Sequence, residues 1–212
     1  MICGIDEAGR GCILGPMVIA IASIDPMDEY KLKEMGIKDS KLLTPARREI
    51  LLKEVTRMCK TDLIIISAKE LTELMDNMNL NEIEAVKIAV LLKNEKHSES
   101  AYIDSPDPIP STFAKRITRY LGSKKIKLIC ENKADRNHPI VAAASIVAKT
   151  KRDEEIEKIK KILNYDFNSG YTSDEVTIEY LRKNLDNPKL QEYIRHKWKT
   201  LERLKQGKIS DY

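Results

Sequence analysis

MICGIDEAGRGCILGPMVIAIASI, residues 1–24, contains two short apolar runs, Ile2–Ile5 and Met17–Ile24, around a glycine-rich turn. Each run has the length and the β-branched content of a buried strand, so the chain opens on a hairpin. Asp6 and Glu7 close the first run. The turn after them, Ala8-Gly9-Arg10-Gly11-Cys12, lacks the Lys and hydroxyl of a phosphate loop. No helical pattern follows it, which excludes a dinucleotide-binding reading. Gly9 and Gly11 would still let backbone come close to a bound ligand.

Outward from the hairpin, Leu63–Ile66, Ala101–Ile103 and Ile126–Cys130 read as further strands, with helical patterns between them. Thr44-Pro45 is a helix start, a capping hydroxyl followed by proline at the first helical position. It leads into Ala46–Cys59. Leu80–Lys96 and Ser111–Leu121 are the next helices, and His138–Leu163 is a long one. Its first half, rich in Val141, Ala142, Ala143, Ala144, Ile146, Val147 and Ala148, predicts burial; its charged second half, Lys149–Lys161, predicts exposure. From Asn164 only helices are expected: Asp174–Asn184, Pro188–His196 and Trp198–Gln206. A hairpin followed by alternating strands and helices is an α/β domain with a mixed sheet. The boundaries read as a domain over 1–163, a helical cap over 164–205 and a tail over 206–212.

The 212 residues are 42% hydrophobic and 33% charged, a globular balance that excludes disorder and a continuous coiled coil. No apolar stretch approaches the ~18 residues of a membrane span, and Asp6, Glu7 and Arg10 interrupt any signal-like N-terminus. An intracellular, cytoplasmic monomer is expected. Cys3, Cys12, Cys59 and Cys130 form no C-x-x-C pair and no zinc-spaced cluster, and read as core thiols. The net charge of +4 is too small to prove a nucleic-acid partner. The basic run Arg195–Lys208 reads either as a solvated helix or as a phosphate-facing surface.

Four acids at three places fall where ligands gather in open α/β sheets, at or just after the carboxyl ends of strands. Asp6 and Glu7 end the first strand, Asp104 ends the fourth, and Asp135 follows the fifth. Carboxylates brought together there repel unless a cation lies between them. All-oxygen donors without Cys or His favour Mg²⁺ or Mn²⁺. Any one of these acids alone reads equally as a solvated turn or a helix cap, and adjacent Asp6 and Glu7 could point to opposite sides.

Asp-Glu-Ala-Gly-Arg-Gly at 6–11, Gly15-Pro16, Asp39-Ser40-Lys41, Asp104-Ser105, Lys133-Ala134-Asp135, Ala142–Lys149 and Gly170-Tyr171-Thr172-Ser173-Asp174 together resemble type 2 ribonuclease H, the ribonuclease HII family. The segments run in the family order over about residues 1–200, and Trp198-Lys199-Thr200 resembles the archaeal branch. The resemblance implies a ribonuclease H-like fold, with a five-stranded mixed sheet flanked by helices and a C-terminal helical extension. The family's four catalytic, metal-binding acids fall on Asp6, Glu7, Asp104 and Asp135. The related ribonuclease HIII has an extra N-terminal domain and a Glu in place of the last Asp, and this chain opens on the first strand and has Asp135.

By the same resemblance, the activity is endonucleolytic hydrolysis of the RNA strand of RNA–DNA hybrids, and cleavage at ribonucleotides embedded in duplex DNA. Two Mg²⁺ or Mn²⁺ ions would assist, leaving 5′-phosphate and 3′-hydroxyl ends. Specificity must rest on the 2′-hydroxyl. The resemblance assigns its reading to the Gly9-Arg10-Gly11 backbone and assigns stacking on the following deoxyribose to Tyr171. Without the resemblance, that Tyr reads as a packing residue. The family commonly has Pro where Thr172 stands. Lys41, Ser145 and Lys149 are candidate phosphate contacts. His97, His138 and His196 read as surface or capping residues.

Two rivals stay open: a metal-dependent exonuclease of the same fold, and a non-catalytic hybrid-binding module. At the C-terminus, Gln206, Ile209 and Tyr212 match Gln-x-x-aliphatic-x-x-aromatic, without the usual second aromatic. That spacing resembles the peptide by which replication enzymes dock on the sliding clamp, PCNA. The alternative is a frayed tail with chance spacing.

Overall fold

The computed structural model describes residues 1–37 and 44–210. A five-stranded sheet has the order β3-β2-β1-β4-β5. β1 (Ile2–Ala8) pairs antiparallel with β2 (Met17–Ile24), with Asp6 opposite Ala20 and Glu7 opposite Ile19. β4 (Ser100–Asp104) runs parallel to β1, and β5 (Lys127–Glu131) runs parallel to β4. β3 (Lys60–Ile66) is an edge strand beside β2. Because β1, β4 and β5 run the same way, their carboxyl ends share one edge. Every residue of β2 is buried, Ser23 included, as a strand apolar at seven of eight positions requires.

All but one of the expected helices form where caps and periodicity place them. α2 (Pro45–Met58) starts from Thr44, whose hydroxyl accepts the Arg47 N–H at 3.3 Å. α4 (Leu80–Asn94) starts from Asn79, whose side chain accepts from the Glu82 N–H at 3.0 Å. α5 (Pro110–Leu121) enters on its proline. α1 (Glu29–Glu34), α3 (Ala68–Leu74) and α6 (Ala134–Asn137) add to the sequence reading. They are too short for an apolar period to stand out.

α7 (Pro139–Leu163) is the long helix. Its residues 139–151 belong to a compact unit with residues 1–8, 18–64 and 79–134, the segment 79–151 being continuous. Val141–Ala148 are at most 5% exposed and pack with Val18, Ala20 and Ala22 of β2. The small side chains allow close approach. A Cβ on Gly4 would come within 2.3 Å of the Ile140 carbonyl oxygen, so β1 and the start of α7 meet backbone to backbone.

The second compact unit comprises residues 9–17, 65–78 and 152–212. Both units are discontinuous in sequence, whereas the boundaries at 163/164 and 205/206 follow the chain. The second unit holds α8 (Glu175–Asn184), α9 (Pro188–Gln191) and α10 (Lys199–Ser210). Its core gathers Ile13, Leu14, Ile156, Ile159, Phe167 and Leu181.

Two expectations are corrected here. The second half of α7 is not simply exposed: Arg152, Ile156 and Ile159 are 5%, 3% and 6% exposed, one buried stripe at helical spacing within a charged stretch. The helix expected over 188–196 ends at Gln191. Past it, Ile194 bridges Leu14, and the Arg195 N–H donates to the Ile13 carbonyl at 3.0 Å. Among the described residues, no helix is long and apolar enough to cross a membrane.

Candidate active site

In the first unit, Asp6, Glu7 and Asp104 each offer a carboxylate oxygen, and these atoms lie within 4.8 Å of one another. Asp6 is 5% exposed. Although neighbours on a strand point to opposite faces, Glu7 still reaches the cluster. Burial, and next the charge of Asp104, push the Asp6 carboxyl up to about 7. A hydrogen bond from Ser145, the charge of Lys149 and the Glu7 N–H, 2.8 Å from Oδ1, oppose that rise. Crowded acids in a poorly solvated place raise one another's affinity for positive charge.

Asp104 also orients the next element. Its Oδ1 accepts the Ala134 N–H at 2.8 Å, at the start of α6. Lys133 precedes it in the left-handed conformation, φ 59°. Asp135 follows on α6, 5% exposed, and its Oδ1 has no hydrogen-bond partner among the described residues. It is not one of the three clustered acids. Three gathered carboxylates and an unsatisfied buried carboxylate oxygen fit hard divalent cations, which take oxygen ligands.

The loop after Asp104 is fixed by residues that sequence reading passed over. The Asn132 side chain donates to the carbonyls of Ser105 and Asp107, both at 2.8 Å. Arg116 Nε donates to Asp107 at 3.1 Å, and Arg116 also pairs with Glu82 at 2.7 Å. These partners are far apart in sequence, so no local pattern announces them.

The second unit carries the glycine turn and Tyr171. Gly9 has φ +78°, and a Cβ there would lie 2.7 Å from the Pro16 carbonyl oxygen. A Cβ on Gly11 would lie 3.9 Å from the Tyr171 ring, an ordinary contact. Cys12 and Tyr171 form an antiparallel bridge, and the N–H groups of Ile13 and Leu14 donate to the Gly170 carbonyl at 2.9 and 3.1 Å. Burial is the main cause that raises the Tyr171 phenol above its ordinary value. Thr172, in place of proline, does not leave this turn unsupported. Asp174 accepts from the Ser169 N–H at 3.0 Å and from the Ser169 hydroxyl, and Thr177 Oγ1 accepts from the Gly170 N–H at 3.0 Å.

Two buried arginines complete the turn. Arg195 donates to the Gly15 and Arg10 carbonyls, both at 2.9 Å, and lies over Trp198. At 0% exposure it is neither a solvated helix residue nor a phosphate contact, which corrects both readings of the basic run at that position. Arg152 touches Cys12, Ser169 and the Tyr171 ring. A buried stripe inside the charged half of α7 was the available signal for Arg152.

Ser145 is 0% exposed and hydrogen-bonds Asp6. A hydroxyl so buried supports a carboxylate and cannot meet a phosphate, which corrects that expectation. Lys149 is half-buried and its charge acts on Asp6. Arg10 is half-buried and Gly11 exposed. Lys41 and Tyr212 lie outside the described residues, Gln206 is exposed, and Ile209 falls within α10. Cys3, Cys12 and Cys59 are buried free thiols, and Cys130 is partly buried. His138 pairs with Glu131 at 3.1 Å, and the His196 ring contacts the Gln191 carbonyl at 3.1 Å.

The mixed five-stranded sheet, flanked by helices and with acids at the ends of its central strands, defines a ribonuclease H-like fold. A profile of ribonuclease HII matches residues 3–201. The Nanoarchaeum equitans ribonuclease HII is 47% identical over 197 residues, covering 92% of each chain. The ribonuclease HII in the structure of the PCNA:RNase HII complex from Archaeoglobus fulgidus is 39% identical over 100% of both chains, with a TM-score of 0.89. The ribonuclease H2 from Pyrococcus horikoshii OT3 is 37% identical over 97% of both chains, with a TM-score of 0.85. The chain belongs to the ribonuclease HII family and is a ribonuclease H, a hydrolase of a metal-dependent family.

Proposed function

We propose that this ribonuclease H cuts the RNA strand of RNA–DNA hybrids and also cuts at single ribonucleotides embedded in duplex DNA. Its active site would use two divalent cations, Mg²⁺ or Mn²⁺, held by Asp6, Glu7, Asp104 and Asp135. The observation that carries this reading is the gathering of Asp6, Glu7 and Asp104 within 4.8 Å, with Asp6 buried and its affinity for positive charge raised. Bound cations supply activation of the attacking water and charge stabilisation at the leaving 3′ oxygen.

The chain's own residues supply the rest. Asp6, central in the sheet, would hold the cations together with Glu7, Asp104 and Asp135. The Ala134 N–H fixes one oxygen of Asp104 and so orients the other. Asp135 brings an oxygen with no hydrogen-bond partner among the described residues. Ser145 hydrogen-bonds Asp6, and the charge of Lys149 favours its ionised form. Substrate choice rests on the Gly9-Arg10-Gly11 backbone, which reads the 2′-hydroxyl, and on Tyr171, which positions the next sugar. Lys41 and Lys149 would meet phosphates. The tail residues Gln206, Ile209 and Tyr212 would dock on a sliding clamp, a reading supported by their spacing and by the A. fulgidus relative's complex with PCNA.

The test is cleavage of a DNA duplex with one ribonucleotide, by metal-stripped protein with and without added Mg²⁺ or Mn²⁺. Metal-dependent cuts giving 5′-phosphate ends are expected, and Asp6→Asn should abolish them. Near-normal cleavage by Asp6→Asn at saturating metal would overturn the site.

A further inference from the structure

We infer that Arg152 is a positioning residue for substrate selection, setting the Tyr171 ring against the Gly9–Cys12 turn. The inference rests on the proposed roles of Tyr171 and the glycine turn, and names a residue that acts through them.

The guanidinium of Arg152 lies where those two segments meet. One nitrogen, Nη2, donates to Cys12 Sγ at 3.0 Å and to the Ser169 carbonyl. The guanidinium carbon is 4.9 Å from the centre of the Tyr171 ring. Its stem fills the space that a side chain at Gly9 would need: a Cβ there would be 3.2 Å from Arg152 Cγ. Cys12, the bridge partner of Tyr171, also hydrogen-bonds its side chain. One side chain thus touches the residue after the Gly-Arg-Gly motif, the residue before Gly170, and the aromatic ring.

Packing alone does not account for an arginine here. The residue is 5% exposed, and its Nε has no hydrogen-bond partner among the described residues. Asp153 pairs with the guanidinium at 3.3 Å, but a buried ion pair that leaves an N–H unsatisfied is still costly, and an apolar side chain of similar length often serves stability as well or better. What the apolar chain lacks is a guanidinium, whose Nη2 holds a thiol and a carbonyl while Nη1 pairs with Asp153 and the plane lies near an aromatic ring. That geometry fixes the ring's position. Misplacing a group that orients substrate slows chemistry far more than it weakens binding.

The experiment uses the full chain with Arg152→Met, Arg152→Lys, Tyr171→Ala and both double variants. kcat and KM are measured on a duplex with one ribonucleotide and on a uniform RNA–DNA hybrid, and thermal midpoints confirm folding. Arg152→Met should lower kcat on the single-ribonucleotide duplex by about tenfold to a hundredfold, with KM within about threefold and a smaller loss on the uniform hybrid. Arg152→Lys, which keeps the charge but loses the guanidinium, should show the same pattern and decides the matter if the Met variant does not fold. In the Tyr171→Ala background, removing Arg152 should cost little more, because the two act as one unit. Equal losses with and without Tyr171, or equal losses on both substrates, would overturn the inference while leaving the Tyr171 reading intact. A silent Tyr171→Ala would instead overturn that reading, and the inference with it.

Discussion

Asp6 and the two glycines of the turn behave differently although they are close in sequence. Asp6 has its carboxyl raised by burial and by Asp104. An acid whose folded value exceeds its unfolded value stabilises the fold least when ionised. Metal-free stability should therefore be greatest below pH 3.8 as far as this group is concerned, and fall as pH rises toward 7. Asp6→Asn should remove that fall. Melting curves of metal-free parent and variant across this range should diverge upward in pH, with the variant more stable, and parallel curves would contradict the crowding. Gly9 and Gly11 should separate under substitution by alanine. Gly9→Ala forces a Cβ at φ +78° into the Pro16 carbonyl, and should cost roughly 1 kcal/mol or more of stability. Gly11→Ala meets only the Tyr171 ring at 3.9 Å, and should fold like the parent. If the Gly11 backbone approaches the ribose, that well-folded variant should still cleave about tenfold more slowly. Unchanged cleavage would remove Gly11 from the site.

Among the elements, the long and capped ones were legible and the short ones were not. Thr44-Pro45 announces α2 through a hydroxyl and a ring that suit the first turn of any helix, and β2 announces itself by seven apolar residues out of eight. α6 has four residues and starts from a left-handed lysine, so no propensity or period marks it, yet it carries Asp135. The four acids were found through a family pattern and their places at strand ends. Arg152, Arg195 and Asn132 escaped because their roles depend on contacts with carbonyls far along the chain. Asp174 shows a local rule with a distant effect. It caps α8 through the Val176 N–H at 3.1 Å and also holds the segment before Tyr171. Burial would raise its carboxyl, but hydrogen bonds from Ser169 and Thr177 outweigh this and lower it. Asp174→Ala should cost about 1–2 kcal/mol. A depressed folded value stabilises above the ordinary 3.8 and is lost as pH falls through the lowered one, so the variant's deficit should shrink in strong acid. A deficit that persists there would show that the cap acts without its charge.

For the whole molecule, the proposed activities divide between the site and the tail. A form ending at Lys205 keeps the buried Leu201 and Leu204 and loses Gln206, Ile209 and Tyr212. It should cleave like the full chain when no clamp is present, and bind the cognate clamp at least about tenfold more weakly. Titration of the clamp with both forms measures this. Identical affinities would remove the tail from clamp binding, whereas lost intrinsic cleavage would give the last residues a structural part.

The sulfur atoms have a separate use. Cys3 and Cys59 lie in one compact unit and Cys12 in the other, all three buried and unpaired. Burial pushes the Cys3 and Cys59 thiols up to about 12 and raises Cys12 as well. A neutral, enclosed thiol reacts only when the chain around it opens. The time course of alkylation at each sulfur is therefore a native clock of breathing, needing no added label. Its readings at Cys12 and Cys59 would tell whether the halves of this nuclease loosen in one cooperative event or in two.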